Sequence, residues 1–259
     1  MADPLGRREP SPVATHLRET ASWLVDLLFE RTETVSAPEP VPARACRLAT
    51  GKRIAFCSLV AGTGATTVAA LAAQRAGGAG STVRLIDLDL VAPTLSLLAG
   101  ERTPTLLDAL AVEGVRGRKW GSAFAIFGAE RDPGPEVGEA LIRFVRQMSR
   151  DAAVVLDTGT LRDRTDAILR ACDAVFYVAT PRAAHVHAAT RALPLLEGLA
   201  PPARLVVNRS TREAAEAIAR ELDLSLAGSI PEDPFLARDE FRVRAETARA
   251  VDALLAWLA

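Results

Sequence analysis

Lysine is nearly absent. Of the 31 lysine and arginine residues in this 259-residue chain, only Lys52 and Lys119 are lysines. Arginine carries the positive charge, and against 32 aspartates and glutamates it leaves a formal net charge of −1. That balance excludes a general attraction to nucleic acid or to an anionic bilayer, although arginines at particular positions still bind phosphate well. Cysteine is scarce too. Cys46, Cys57 and Cys172 are odd in number and lack metal-ligand spacing, which argues against a disulfide scaffold or a zinc module. Cys57 and Cys172 sit in or beside apolar runs, as buried thiols of a reducing compartment do. No run is long enough to cross a bilayer, and no charged start precedes an apolar segment. The expectation is a soluble cytoplasmic protein.

What the chain has in abundance is apolar residues, 49% of the total, enough for a sizeable core in one α/β domain with appendages. Residues 1–11 are polar and proline-bearing and are expected to be disordered. Over 12–31, Leu17, Leu24, Leu27 and Leu28, with Trp23 and Phe29, recur at helical spacing and predict an amphipathic helix. It either packs on the domain or serves docking or dimerisation. Glu19, Asp26 and Glu30 on its polar face argue against a membrane-surface role. The prolines of 32–51 predict a linker. Over 52–259 short apolar runs alternate with helical segments. RIAFCSL, TVRLIDL, AFAIF, AAVVLD, AVFYVA, RLVVN and LAGSI read as strands. Thr66–Ala76, Glu136–Ser149, Ala183–Leu196, Arg212–Leu222 and Ala237–Leu258 read as helices. Continuous apolar strands separated by helices predict an α/β fold, a mostly parallel sheet with helices on both faces.

Three segments carry chemistry. Residues 60–67, VAGTGATT, lie between the first strand and a helix. Glycines there let backbone N–H groups curl around phosphate, and the helix adds its positive N-terminal end. Gly62 and Gly64 supply the turn, Thr66 stands where a hydroxyl ligates magnesium, and Thr67 is placed to bond a phosphate. A phosphate-binding loop also has a lysine for the outer phosphates, and here Ala65 takes that position. In RLIDLDLVAPTLSLLAG, Asp87 and Asp89 end a strand at the sheet edge where ligands bind in open α/β folds. Their period of two predicts a common side, fit to hold hydrated magnesium or orient a water. In AAVVLDTGT, Asp157 ends another strand, as an acid that reaches magnesium through water does. Each aspartate taken singly is also readable as a cap for the next helix.

Together these segments resemble the ParA/MinD-like ATPases, the P-loop NTPases with a deviant Walker A loop of the form KGGxGKTT. The resemblance covers roughly residues 52–258. On it, the signature lysine falls on Val60 and the ordinary loop lysine on Ala65, so both are missing. It implies that Gly62, Thr63, Gly64, Ala65, Thr66 and Thr67 cradle ATP or ADP. It gives magnesium to Thr66, Asp87 and Asp157, and water orientation to Asp89. LVVNRS and SIPEDPFL match the segments flanking adenine, which implicates Asn208, Arg209, Pro231 and Asp233. Members position DNA, division sites, pili and flagella, so the resemblance implies a protein partner in a membrane-associated or polar assembly, and a homodimer. The TadZ/CpaE branch of pilus assembly also tolerates altered loops, but residues 1–50 are too short for its receiver-like domain.

Losing both lysines removes charged hydrogen bonds of about 1.5–3 kcal/mol each and a cation worth on the order of 10³–10⁵ in phosphoryl transfer. The expectation is a catalytically degenerate member with weak or no ATP hydrolysis that acts by binding partners. The alternatives are an active ATPase in which Arg53 or Arg182 substitutes, and a DNA-binding partition protein using Arg238, Arg242, Arg244 and Arg249. The arginines near 242–249 read first as the solvated face of the last helix. Tyr177 is the only tyrosine, which excludes a tyrosine-rich tail of the kinase relatives. His185 and His187, two residues apart, do not share a helix face and read as surface or capping residues.

Overall fold

The computed structural model describes residues 47–112, 114–129, 138–161, 166–196, 203–237 and 243–258. The expected disordered start, the amphipathic helix and most of the linker lie outside them, as do Cys46, Arg238 and Arg242. No described helix is long and apolar enough to cross a membrane.

An eight-stranded sheet forms the centre. Its strands are β1 (Arg53–Ser58), β2 (Val83–Asp87), β3 (Arg118–Trp120), β4 (Ala123–Ile126), β5 (Ala153–Thr160), β6 (Ala174–Ala179), β7 (Ala203–Asn208) and β8 (Leu226–Ile230). Their order is β3-β4-β2-β5-β1-β6-β7-β8. All described pairings are parallel except β3 with β4. The predicted strands are all present. β3 was not foreseen, because RKW is short and polar and its exposed residues serve only the sheet edge.

Successive β1 side chains show why the strands are apolar throughout. Ile54 and Phe56 enter one core with α1 (Ala65–Gly78) and α8 (Ala245–Ala256). Ala55 and Cys57 enter the other with α4 (Gly138–Met148), α5 (Asp166–Arg170), α6 (Ala183–Ala192) and α7 (Arg212–Glu221). Both faces are covered, so neither can be polar. Along α1, Ala69, Ala70, Ala72, Ala73 and Ala76 are buried, so this helix meets its neighbours with little side-chain volume between them. Short helices α2 (Leu95–Ala99) and α3 (Leu106–Ala111) complete the order.

Two predicted helices are corrected. Ala183–Leu196 is α-helical to Ala192 and finishes as a 3-10 turn over Leu193–Leu196, because Pro194 cannot donate to the helix. The final helix begins at Ala245, not Ala237; Pro234–Ala237 is a separate 3-10 turn. The Val251, Leu254, Leu255 and Leu258 stripe is buried against the sheet. Cys57 and Cys172 are buried free thiols. His187 is exposed, and half-buried His185 places Nδ1 2.8 Å from the Thr180 hydroxyl near the start of α6.

Candidate functional site

The chain leaves β1 at Ser58 and turns through Gly62 (φ 82°) and Gly64 (φ 87°) into α1. A side chain at Gly64 would overlap the Asn208 amide, so conformation and space both require glycine there. Gly64 caps α1 without a side-chain hydrogen bond, and no acidic residue lies in the first turn. The first N–H groups of the helix therefore keep their partial positive charge, which suits an anion.

A cavity of about 470 Å³ opens beside them, lined by residues 61–67 with Ser58, Asp89, Val91, Ala92, Thr94, Leu97, Leu98, Gly159 and Thr160. No lysine, arginine or histidine is among those residues. Ala65 is buried and Val60 half-buried. Thr63 is 2% exposed, and its Oγ1 has no hydrogen-bond partner among the described residues.

Asp87 and Asp157 are register partners on β2 and β5, and both are 0% exposed. Asp87 Oδ1 accepts from the Asp89 N–H at 3.0 Å and Oδ2 from the Leu95 N–H at 3.2 Å. Asp157 Oδ1 accepts from the Gly159 N–H at 3.1 Å, while its buried Oδ2 has no partner among the described residues. Burial pushes both carboxyls above the ordinary carboxylate range. The charge of Asp157 adds to the effect at Asp87, whereas the Thr66 hydroxyl and the Gly159 N–H oppose it at Asp157.

Asp89 lines the cavity and lies against Gly159. β2 stops at Asp87, so strand alternation does not orient Asp89. Its Oδ1 turns to accept the Val91 and Ala92 N–H groups, each at 3.0 Å. Among the described residues no three His, Cys, Asp or Glu side chains gather as a metal site. Thr94 was not anticipated. Its hydroxyl donates to Thr66 Oγ1 at 3.1 Å, and it lines the cavity; from sequence it reads only as a threonine before a helix.

A second cavity of about 600 Å³ is lined by Thr67, Asn208, Arg209, Pro231, Glu232, Asp233, Pro234, Leu236 and Arg244. Thr67 lines both cavities. The segments after β7 and β8 are thus brought to the loop despite their distance in sequence. Asn208 Nδ2 donates to the Thr63 carbonyl at 2.9 Å, and its Oδ1 accepts from the Arg209 N–H at 3.0 Å. That amide braces the loop. Asp233 Oδ1 accepts from the Phe235 N–H at 3.0 Å. Its Oδ2 accepts from the Arg244 N–H at 2.7 Å and the Thr247 hydroxyl at 2.8 Å, which ties down the start of α8.

Arg53 lies at the first residue of β1, at the opposite end from the loop, and its guanidinium is bound to Asp173. It is not the substitute cation. Arg182 is exposed before α6 and lines neither cavity.

A parallel sheet with a glycine turn and an uncapped helix after β1, and with aspartates ending β2 and β5, defines a P-loop NTPase fold of the ParA/MinD-like type. Solved structures agree. A ParA family ATPase from Chlorobium tepidum TLS superposes with a TM-score of 0.67 at 16% identity, over 80% of this chain and 99% of that one. MinD in the MinC:MinD cell division complex of Aquifex aeolicus gives 0.65 at 20%, over 80% and 95%. The septum site-determining protein MinD from Pyrococcus horikoshii, complexed with Mg-ADP, gives 0.64 at 22%, over 79% and 94%. No family model matches the chain, and no curated protein does.

Proposed function

We propose that this chain is a catalytically degenerate ParA/MinD-like protein. It binds nucleotide weakly, hydrolyses ATP poorly or not at all, and works through a protein partner in positioning or assembling a larger machine. One observation carries the reading: among the described residues no cation lines the loop cavity. Phosphoryl transfer rests on neutralising charge that spreads over the transferred group, and a single cation is worth on the order of 10³–10⁵ in rate.

The residues present nonetheless fit a nucleotide. The uncapped start of α1 and the unpartnered Thr63 hydroxyl would take a phosphate. Asn208, Arg209 and Pro231 would border the base, with Asp233 holding that wall in place. Thr66 and Asp157 would hold magnesium, with Asp87 beside them. When bound, magnesium would neutralise phosphate charge and the buried acids alike. Asp89, committed to two backbone N–H groups, would shape the loop more than orient water.

The resemblance to MinD, solved with MinC, supports a protein partner, and a homodimer is part of the same reading. Phosphate release from Mg-ATP by the full chain should stay at the buffer rate. Turnover that disappears in Asp89→Ala would sink the degenerate reading. Removing residues 1–45 should reduce self-association in sedimentation; unchanged sedimentation would remove that segment from the proposal.

A further inference from the structure

The two ends of the candidate site differ in what they offer a phosphate. The strand order sets the direction. β7 and β8 lie on one side of β1, and β5 and β2 lie on the other. A nucleotide with its base over Asn208 and Pro231 and its first phosphates on the loop after β1 therefore points its tail toward Gly159 and Asp89.

Support declines along that path. At the loop stand the uncapped N–H groups of the 14-residue α1 and the buried, unpartnered Thr63 hydroxyl. Beyond the loop stands Asp89, seated so closely on Gly159 that a side chain there would overlap its carboxylate. The same lining carries Val91, 56% exposed, and Leu97, 75% exposed, with the neutral hydroxyls of Thr94 and Thr160. Among the described residues, a third phosphate would meet a carboxylate, neutral hydroxyls and apolar groups, with no lysine or arginine in the lining to offset the charge.

We propose that the loop cavity selects a nucleoside diphosphate over the triphosphate. This rests on the nucleotide-binding reading given above and goes beyond it by assigning the ligand class. A protein so built does not follow the exchange of triphosphate for diphosphate; its resting liganded state is the diphosphate form.

Calorimetric titration of the full chain with ADP and with a non-hydrolysable ATP analogue, each with magnesium, tests this. ADP should bind at least ~10-fold more tightly, about 1.4 kcal/mol. In Asp89→Asn, which keeps the Oδ1 acceptor for Val91 and Ala92, the analogue should gain and the gap should close to within ~3-fold. Ala65→Lys, placing an ammonium group on the same cavity, should close it independently. Equal or tighter binding of the analogue by the unaltered chain overturns the selectivity and leaves nucleotide binding standing. A gap that persists in both variants overturns the electrostatic cause. No heat with either nucleotide overturns both readings.

Discussion

Two sets of aspartates in this domain differ in where arginine stands. At the N-terminal ends of the strands Asp173 meets Arg53 at 3.0 Å and Asp151 meets Arg84 at 2.5 Å. On the outer face of α1, Asp252 of α8 meets Arg75 at 2.8 and 2.5 Å. At the C-terminal ends Asp87 and Asp157 have, among the described residues, backbone and hydroxyl neighbours but no cation. The consequence is opposite in sign. The Arg84 hydrogen bond holds Asp151 below the ordinary carboxylate range. Burial works against Asp173, yet Arg53 holds it below that range too, while Asp87 and Asp157 are pushed above it. Among the described residues, arginine thus serves these structural pairs and does not stand in the loop cavity, where a P-loop needs a cation.

The largest expected effect comes from breaking the paired group. The Arg75 and Asp252 side chains are 11% and 10% exposed, and removing one partner leaves the other charge buried. Asp252→Ala should cost ~3–5 kcal/mol, read as a shift in the urea midpoint at constant slope. A loss below ~1 kcal/mol would show that water reaches the guanidinium.

The unpaired group sharpens the comparison through pH. A carboxyl raised in the folded state binds a proton that the unfolded chain has already released. Between the ordinary value of ~4 and the raised folded values, the unfolded chain therefore holds fewer protons, and stability falls as pH rises, by up to ~1.4 kcal/mol per pH unit per proton. Thermal melting should improve on acidification from pH 8 to 6. Asp151 and Asp173, lowered in the folded state, act in the other direction only below the ordinary value. In Asp157→Asn the Gly159 N–H keeps its acceptor and the buried charge is gone. That variant should gain about 1–2 kcal/mol at pH 8 and show a flatter profile. An unchanged profile would place the titration elsewhere.

Less energy rides on the brace between the halves of the site. In Asn208→Ala the Thr63 carbonyl loses its donor, at about 1–2 kcal/mol. Hydrogen exchange should then quicken in residues 61–67 before it does in the sheet. Global acceleration alone would make Asn208 a core residue and nothing more.

This brace also marks where sequence stops informing. The strands were legible because burial on both faces leaves one composition, and the loop because glycine at φ 87° has few substitutes. VAGTGATT, the strand-ending aspartates and LVVNRS were visible as separate segments. That the Asn208 amide grips the Thr63 carbonyl across 145 positions was not, because side-chain direction has no periodicity to betray it. Asp89 shows a related limit. Alternation holds only while the strand continues, and nothing in DLDL announces that β2 ends at its first residue. The start of α8 was misplaced because the alanine and arginine of FLARDE suit a helix, whereas Asp233 fixes the start at Arg244 through a contact 11 residues away.

The smallest effect tests whether pairing alone, without burial, explains the first group. Arg212 and Glu216 lie one turn apart on α7 with Nε 2.9 Å from Oε1, and their side chains are 82% and 48% exposed. Water solvates both partners, and ordering two long side chains offsets much of the attraction, so an exposed pair at this spacing contributes only ~0.3–0.5 kcal/mol. Glu216→Ala should move the urea midpoint by no more than that, and the difference should vanish in ~1 M salt, where screening acts within ~3 Å. Asp252→Ala, shielded from salt by burial, should keep its full loss under the same conditions. If both variants responded alike to salt, the distinction between covered and open carboxylates would fail, and charge pairing by itself would account for the arginines of this fold.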